Sequence, residues 1–221
     1  MPRRFSEQEE QHIREALREA ARSIMGPRGV RKTTIDQLAH AAGISKGSFY
    51  RFYSGKEQLA LELLQTWERS FHQTIEQRFR SARPAGSAET AEVLKAVFVE
   101  DFPQQMMLSG MQGLFDVQEI DYLRQRAPDE HIRNMDEQDL RLFERLKPLF
   151  RQAGLTVAGD DRVIIAALRL LFDAALSALQ HPGQGPLRAE HYHEAVARLI
   201  EGLFLVLFRA QPGRGRQRLQ T

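Results

Sequence analysis

Apolar residues recur along this chain at intervals of three and four, the pattern of amphipathic helices, and no stretch alternates with the period of two that a half-buried strand needs. Ser6 and Glu9 have capping-box spacing ahead of Ile13, Ala16, Leu17, Ala20, Ala21 and Ile24, which predicts a first helix stopped by Gly26, Pro27 and Gly29. Thr34 and Gln37 repeat that spacing before a short second helix with Ile35, Leu38 and Ala42 on one face, closed by Gly43 as a left-handed cap. Ser45 caps a third short helix that buries Phe49 and Phe52. A fourth starts near Ser54 to Glu57 and continues on the stripe Ala60, Leu63, Leu64, Trp67, Phe71, Ile75 and Phe79 to Arg83 and Pro84. At 1.5 Å per residue this rod is roughly 40 Å long, enough to link two domains.

Beyond Gly86 the pattern predicts only helices: 87–102, then one opened by Pro103 that carries Met106, Met107, Met111 and Phe115. A short helix and turn fill 116–130. The next helix runs through Ile132, Met135, Leu142, Phe143, Leu146, Leu149 and Phe150 to Gly154, with Pro148 expected to kink its last turns. Asp160 or Asp161 caps a helix over 163–180, "HPGQGP" breaks the chain, and 187–208 forms the last helix. The fold class is therefore all-α.

Composition narrows the class of protein. A length of 221 residues favours one small and one medium domain, and 42% hydrophobic with 27% charged residues is the balance of a folded globular chain. The absence of cysteine excludes disulfides, thiolate metal sites and cysteine nucleophiles, and fits a cytoplasmic location. "MPRRFSEQEE" has no apolar run after its arginines, and the most apolar segment, 163–179, contains Arg169 and Asp173, so neither a secretory signal nor a membrane span is expected. The formal charge is only +2, but residues 1–56 hold eleven Lys/Arg against six Asp/Glu, so the basic end is the N-terminal one.

In that basic segment Ala39, Gly43 and Ile44 have the order a helix-turn-helix needs: a small residue where the second helix crosses, a glycine to turn the backbone, and an apolar anchor. Phe49 and Phe52 plug the second of the two helices into the core with Leu38 and Ile13, which turns Lys46, Gly47, Ser48, Tyr50 and Arg51 outward, toward a major groove. Gly47 costs about 1 kcal/mol of helix propensity relative to alanine, and its use is clearance for close approach of bases or phosphates.

The stretch "RGVRKTTIDQLAHAAGISKGSFYRFYSGKEQL", with a capped helix before it and a long helix after it, resembles the DNA-binding domain of the tetracycline-repressor (TetR) family of transcription regulators. The resemblance implies an N-terminal helix-turn-helix domain (1–56), a helical effector-binding and dimerisation domain (57–211) and a basic tail (212–221). It implies phosphate contacts from Thr33, Thr34, Lys46, Tyr50 and Lys56, with Ser45, Gly47, Ser48 and Phe49 nearest base edges. Hydroxyls, ammonium groups and an apolar ring suit those roles. Two positions depart from the family pattern. Phe52-Tyr53 stands where the family has His or Tyr followed by Phe, which raises Tyr53 as a substitute phosphate contact. Ser54-Gly55 stands where the family has Pro then Ser or Asn. Arg3 and Arg4 are either a minor-groove arm or, as terminal arginines more often are, simply solvated.

The family further implies a homodimer through the last two helices. Ala166, Ala167, Ala174, Ala175 and Ala178 permit close approach on one, and Val196, Leu199, Ile200, Leu203 and Leu207 form a stripe on the other; an intramolecular core is the alternative. Arg169 and Asp173 have the spacing of an intrahelical pair. The resemblance also implies a small hydrophobic or amphipathic effector, for which Trp67, Phe71, Phe98, Phe102, Met106, Met107, Met111, Phe115 and Phe143 are the candidate lining. His72, Glu100, Asp101 and Asp173 are polar candidates nearby. No catalytic or metal motif emerges: His191 and His193 lie about 200° apart around a helix. A repressor released from a palindromic operator by an effector is the expected function. A helical small-molecule-binding or scaffold protein that no longer binds DNA is the alternative, and an enzyme ranks behind both.

Overall fold

The computed structural model describes residues 6–180 and 188–210. Arg3, Arg4, the "HPGQGP" break, Leu187 and the basic tail lie outside these residues. The first helix, α1 (Glu7–Ala20), starts on the expected capping box: Ser6 Oγ accepts from Glu9 N, and Glu9 Oε2 accepts from Ser6 N at 2.8 Å. Gly26 and Pro27 do not stop the rod. A π-helical turn, Ala21–Met25, leads into one more helical turn, Gly26–Arg28, where Pro27 stands near the start and its missing N–H is tolerated. The terminator is Gly29, with φ +84°.

Three elements complete the headpiece: α2 (Ile35–Ala41), α3 (Lys46–Phe49) and the start of α4 (Lys56–Ala82). Thr34 caps α2 through a full capping box with Gln37, Gly43 turns the chain at φ +69°, and Ser45 Oγ caps α3 by accepting from Ser48 N at 3.1 Å. With no proline at its entry, α4 is opened by Gln58, whose Oε1 accepts from Ser54 N at 2.7 Å. It keeps its register for 27 residues.

The predicted break at residues 102 and 103 is not a break. Helix α5 (Ser87–Lys95) passes through a second π-helical segment, Ala96–Asp101, directly into α6 (Phe102–Ser109). Then follow α7 (Val117–Arg124), α8 (Asp129–Gln152) with Pro148 inside it, α9 (Asp161–Gln180) and α10 (Ala189–Leu207). The one departure from all-helical structure among the described residues is a short antiparallel pair, β1 (Leu155–Val157) against β2 (Phe208–Ala210). Periodicity does not reveal it because three residues are too few to alternate visibly.

The chain divides into two compact units: Met1–Arg69 with Gln105–Arg133, and Ser70–Gln104 with Asn134–Thr221. Sequence placed the boundary at residue 56; contacts place it inside α4, α6 and α8. In the first unit the core is Ile13, Leu17, Leu38, Phe49, Phe52, Leu59 and Leu63, joined by Met111, Leu114, Phe115 and Leu123 from far along the chain. In the second it is an aromatic series. Phe71 meets Phe98 and Phe102 at 6.0 and 5.5 Å, while Phe150 meets Phe79, Phe143 and Phe208.

Candidate nucleic-acid interface

The exposed edge of α3 is built by its cap. Ser45 must leave the helical conformation to accept from Ser48 N, and its hydroxyl lies 2.9 Å from that of Ser48, so both polar groups sit at the helix start. Lys46 follows, exposed, with Nζ 2.7 Å from Asp36 Oδ2 on α2; that carboxylate holds the ammonium above its ordinary range. Gly47 is open. A Cβ built there would find only Ser45 Oγ, at 3.9 Å, so nothing inside the fold requires glycine at this position. Tyr50 is exposed and packs edge-on against Phe49 at 5.8 Å between ring centres. Thr34, Ser45, Lys46, Gly47 and Tyr50 are all exposed, a set of hydroxyls, a cation and a bare helical backbone.

Four expected contacts face inward instead. Phe49 has 0% exposure and belongs to the core, so it cannot reach a base edge. Tyr53 is buried too and does not replace a phosphate contact at Phe52; burial, with Glu62 beside it, pushes its hydroxyl up to about 12. Arg14 lies over both rings, 5.4 Å from that of Phe52 and 5.7 Å from that of Tyr53. Thr33 is buried and donates its hydroxyl to Gly29 O at 2.9 Å. Lys56 Nζ donates to Val30 O and Thr33 O at 2.8 and 2.7 Å, with Arg31 O at 3.4 Å. An ammonium has three protons, and three carbonyls of the α1–α2 loop take them.

Sequence reasoning missed what holds this surface from behind. Gly113 N and Leu114 N donate to Gly26 O at 2.7 and 3.2 Å. Gly113 permits it, since a Cβ there would lie 2.6 Å from Pro27 C and O. Tyr122 donates to Glu57 Oε1 at 2.6 Å, and Glu119 on α7 is 4% exposed against the α1–α2 loop. The one available signal was spacing: Glu119 lies four residues before the buried Leu123, on the inward face of α7.

The candidate effector residues separate. In the first unit Trp67 lies 4.7 Å from Phe115, with Met106 and Met111 also buried. Met107 is 72% exposed, because adjacent helical residues point about 100° apart and Met106 takes the inward direction. In the second unit Phe71, Phe98 and Phe102 are together, and Phe143 joins Phe150. Of the polar candidates, Asp101 forms a two-point pair with Arg78, and His72 Nε2 lies 3.2 Å from Asp139. Glu100 and Asp173 are exposed. Arg169 does not pair with Asp173; it crosses to α8 and meets Asp136 and Asp139, each at 2.5 Å.

The two apolar helices each split into an inward and an outward face. Val196, Ile200, Phe204 and Leu207 on α10 are buried, whereas Leu199 is 50% and Val206 73% exposed. On α9, Ile164, Leu171 and Ala175 are buried, while Val163 and Leu170 are exposed, Leu170 by 69%. No helix among the described residues is long and apolar enough to cross a membrane.

A folded helix-turn-helix with an open glycine at the start of its second helix defines a class of nucleic-acid-binding headpiece, and comparison with known proteins names it. Residues 17–63 match the family "Bacterial regulatory proteins, tetR family". Over this segment the chain is similar to that family. It is 34% identical over 86 residues to the HTH-type transcriptional repressor KstR2 of Mycobacterium tuberculosis, a match covering 39% of this chain and 40% of the relative. It is 25% identical over 104 residues to the HTH-type transcriptional regulator TtgR of Pseudomonas putida, covering 47% of this chain and 48% of that one. The chain thus spans less than half the length of these curated relatives. The fold extends further: the structure of Thermus thermophilus FadR, a TetR-family repressor in complex with lauroyl-CoA, superposes over 91% of this chain and 99% of its own, with a TM-score of 0.56 and 22% identity.

Proposed function

We propose that the chain is a dimeric, sequence-specific DNA-binding transcriptional regulator, not an enzyme, which represses from a palindromic operator and is released by a small hydrophobic or amphipathic effector. The observation that carries the DNA-binding reading is Gly47. A glycine that costs helix stability, fills no space within its own fold and lies between Lys46 and Ser48 on an exposed helix start makes physical sense as clearance for a partner. The relative KstR2 is a transcriptional repressor. Pairing is supported by the outward apolar faces of α9 and α10, which a monomer leaves wet. A twofold pair reads two half-sites roughly 34 Å apart. The effector reading rests on the Trp67, Phe115, Met106 and Met111 group of the first unit, on methionine's adaptability, and on the acyl-CoA held by a protein of the same fold.

Selection of bound fragments from genomic DNA tests the core of this reading. A regulator enriches a small set of fragments sharing a twofold-symmetric sequence. Enrichment without any common sequence would reduce the chain to a non-specific binder, and no enrichment would remove DNA binding altogether.

A further inference from the structure

The loop between α1 and α2 is gripped from both sides by groups remote in sequence. After Gly29 turns at φ +84°, the next two N–H groups, of Val30 and Arg31, both donate to Glu119 Oε2, at 2.8 and 3.1 Å. Glu119 Oε1 accepts from Arg31 Nε at 2.7 Å, and Gln118 Oε1 accepts from Arg31 Nη2 at 3.0 Å. Successive backbone N–H groups beside a left-handed residue make a nest for an anion, and here the carboxylate of α7 fills it. Glycine at 29 is part of the fit, because a Cβ there would lie 2.6 Å from Glu119 Cδ. The carbonyl side of the same loop is taken by Lys56. Both polar sides of the loop backbone are therefore engaged, and Lys32 and Thr34 stand exposed on it beside Arg31, whose side chain is held by Glu119 and Gln118.

Resting on the DNA-binding reading, we propose that Glu119 is a positioning residue for DNA binding: by filling the nest at Val30 and Arg31 it holds the 29–33 loop so that Lys32 and Thr34 face the duplex backbone. The charge makes the idea testable. Removing a carboxylate from a protein that binds a polyanion should strengthen binding on Coulomb grounds alone, so weaker binding identifies loss of position.

The test uses a duplex selected from a random-sequence library by the unsubstituted protein. Glu119→Gln keeps the size of the side chain but removes the charge-assisted bonds, and affinity for that duplex should fall about tenfold. Lys32→Ala should weaken binding in the unsubstituted protein and weaken it less in the Glu119→Gln background, because a misplaced loop no longer delivers the ammonium. Glu119→Asp, which keeps the charge but retracts it by one methylene, should lose affinity in the same direction and serves if the glutamine variant fails to fold. Unchanged or tighter binding in the folded variants, or strictly additive losses with Lys32→Ala, would overturn the proposal while leaving the regulator reading intact. If the unsubstituted protein selects no duplex, the DNA-binding reading fails and the proposal falls with it.

Discussion

Gly47 and Lys56 illustrate how one side chain, or its absence, divides fold from function. Since a Cβ at 47 meets no close neighbour, Gly47→Ala should leave the fold intact and raise its stability by about 0.5 to 1 kcal/mol, as replacing a helical glycine does. The same change should weaken binding to a selected duplex; thermal unfolding and a binding titration on one preparation check both halves. The two lysines should separate by salt dependence. Lys46 is exposed with only a surface ion pair to lose, so Lys46→Ala should lower the slope of log affinity against log salt by about 0.9, one phosphate's worth. Lys56 has its protons on loop carbonyls, so Lys56→Ala should lower stability and affinity while leaving the slope nearly unchanged. Tyr53 adds a pH effect. Its hydroxyl is raised from 10.0 to about 12, so the folded state favours the neutral form. The stability this contributes is complete below about pH 10 and is lost as the pH climbs through 12, amounting to about 2 to 3 kcal/mol. Denaturant unfolding between pH 9 and 12 should show a steeper loss in the unsubstituted protein than in Tyr53→Phe.

The elements that sequence predicted best are those whose signals are local. The capping boxes at Ser6 and Thr34 and the left-handed Gly43 are each contained within one or two turns of chain, the stripe of α4 repeats one local spacing along a single helix, and each stands in the structure where its residues predict it. What sequence could not reveal is non-local. Tyr53 faces inward, where Arg14 lies over its ring, and Glu119 looks like one more charge in an exposed run until the α1–α2 loop is set against it. The crossing of residues 110–114 over the end of the first helical rod belongs to the same class: two glycines 87 positions apart in sequence bring backbone to backbone. Gly113→Ala would place a methyl 2.6 Å from Pro27, and overpacking of that kind costs about 1 to 3 kcal/mol. Denaturant melts should show that loss, and Gly43→Ala should also destabilise, through backbone strain at positive φ instead of collision.

At the scale of the whole molecule, the proposed pairing depends on surfaces that each chain leaves open. Leu199 and Val206 lie on the outward face of α10, so Leu199→Glu with Val206→Glu should leave the monomer's core untouched and disrupt association by burying charge in an apolar contact. Sedimentation should report monomers, and specific DNA binding should fall because two half-sites then have to be bound independently. A folded double variant that remains dimeric would put the pairing surface elsewhere.

The make-up of the first unit also has a consequence for how the chain comes into being. Its two segments are Met1–Arg69 and Gln105–Arg133, so the partners of Gly26, Val30 and Arg31 emerge from the ribosome well after the helix-turn-helix itself. At roughly 5 to 20 residues per second, the headpiece waits on the order of 3 to 13 s for residue 133 before its last contacts can close. During that interval the nest at Val30 and Arg31 has no carboxylate, and the recognition surface exists only as a loosely held precursor. A nascent chain arrested soon after α4 should therefore be readily cut by protease within the α1–α2 loop, and one arrested well past α7 should resist.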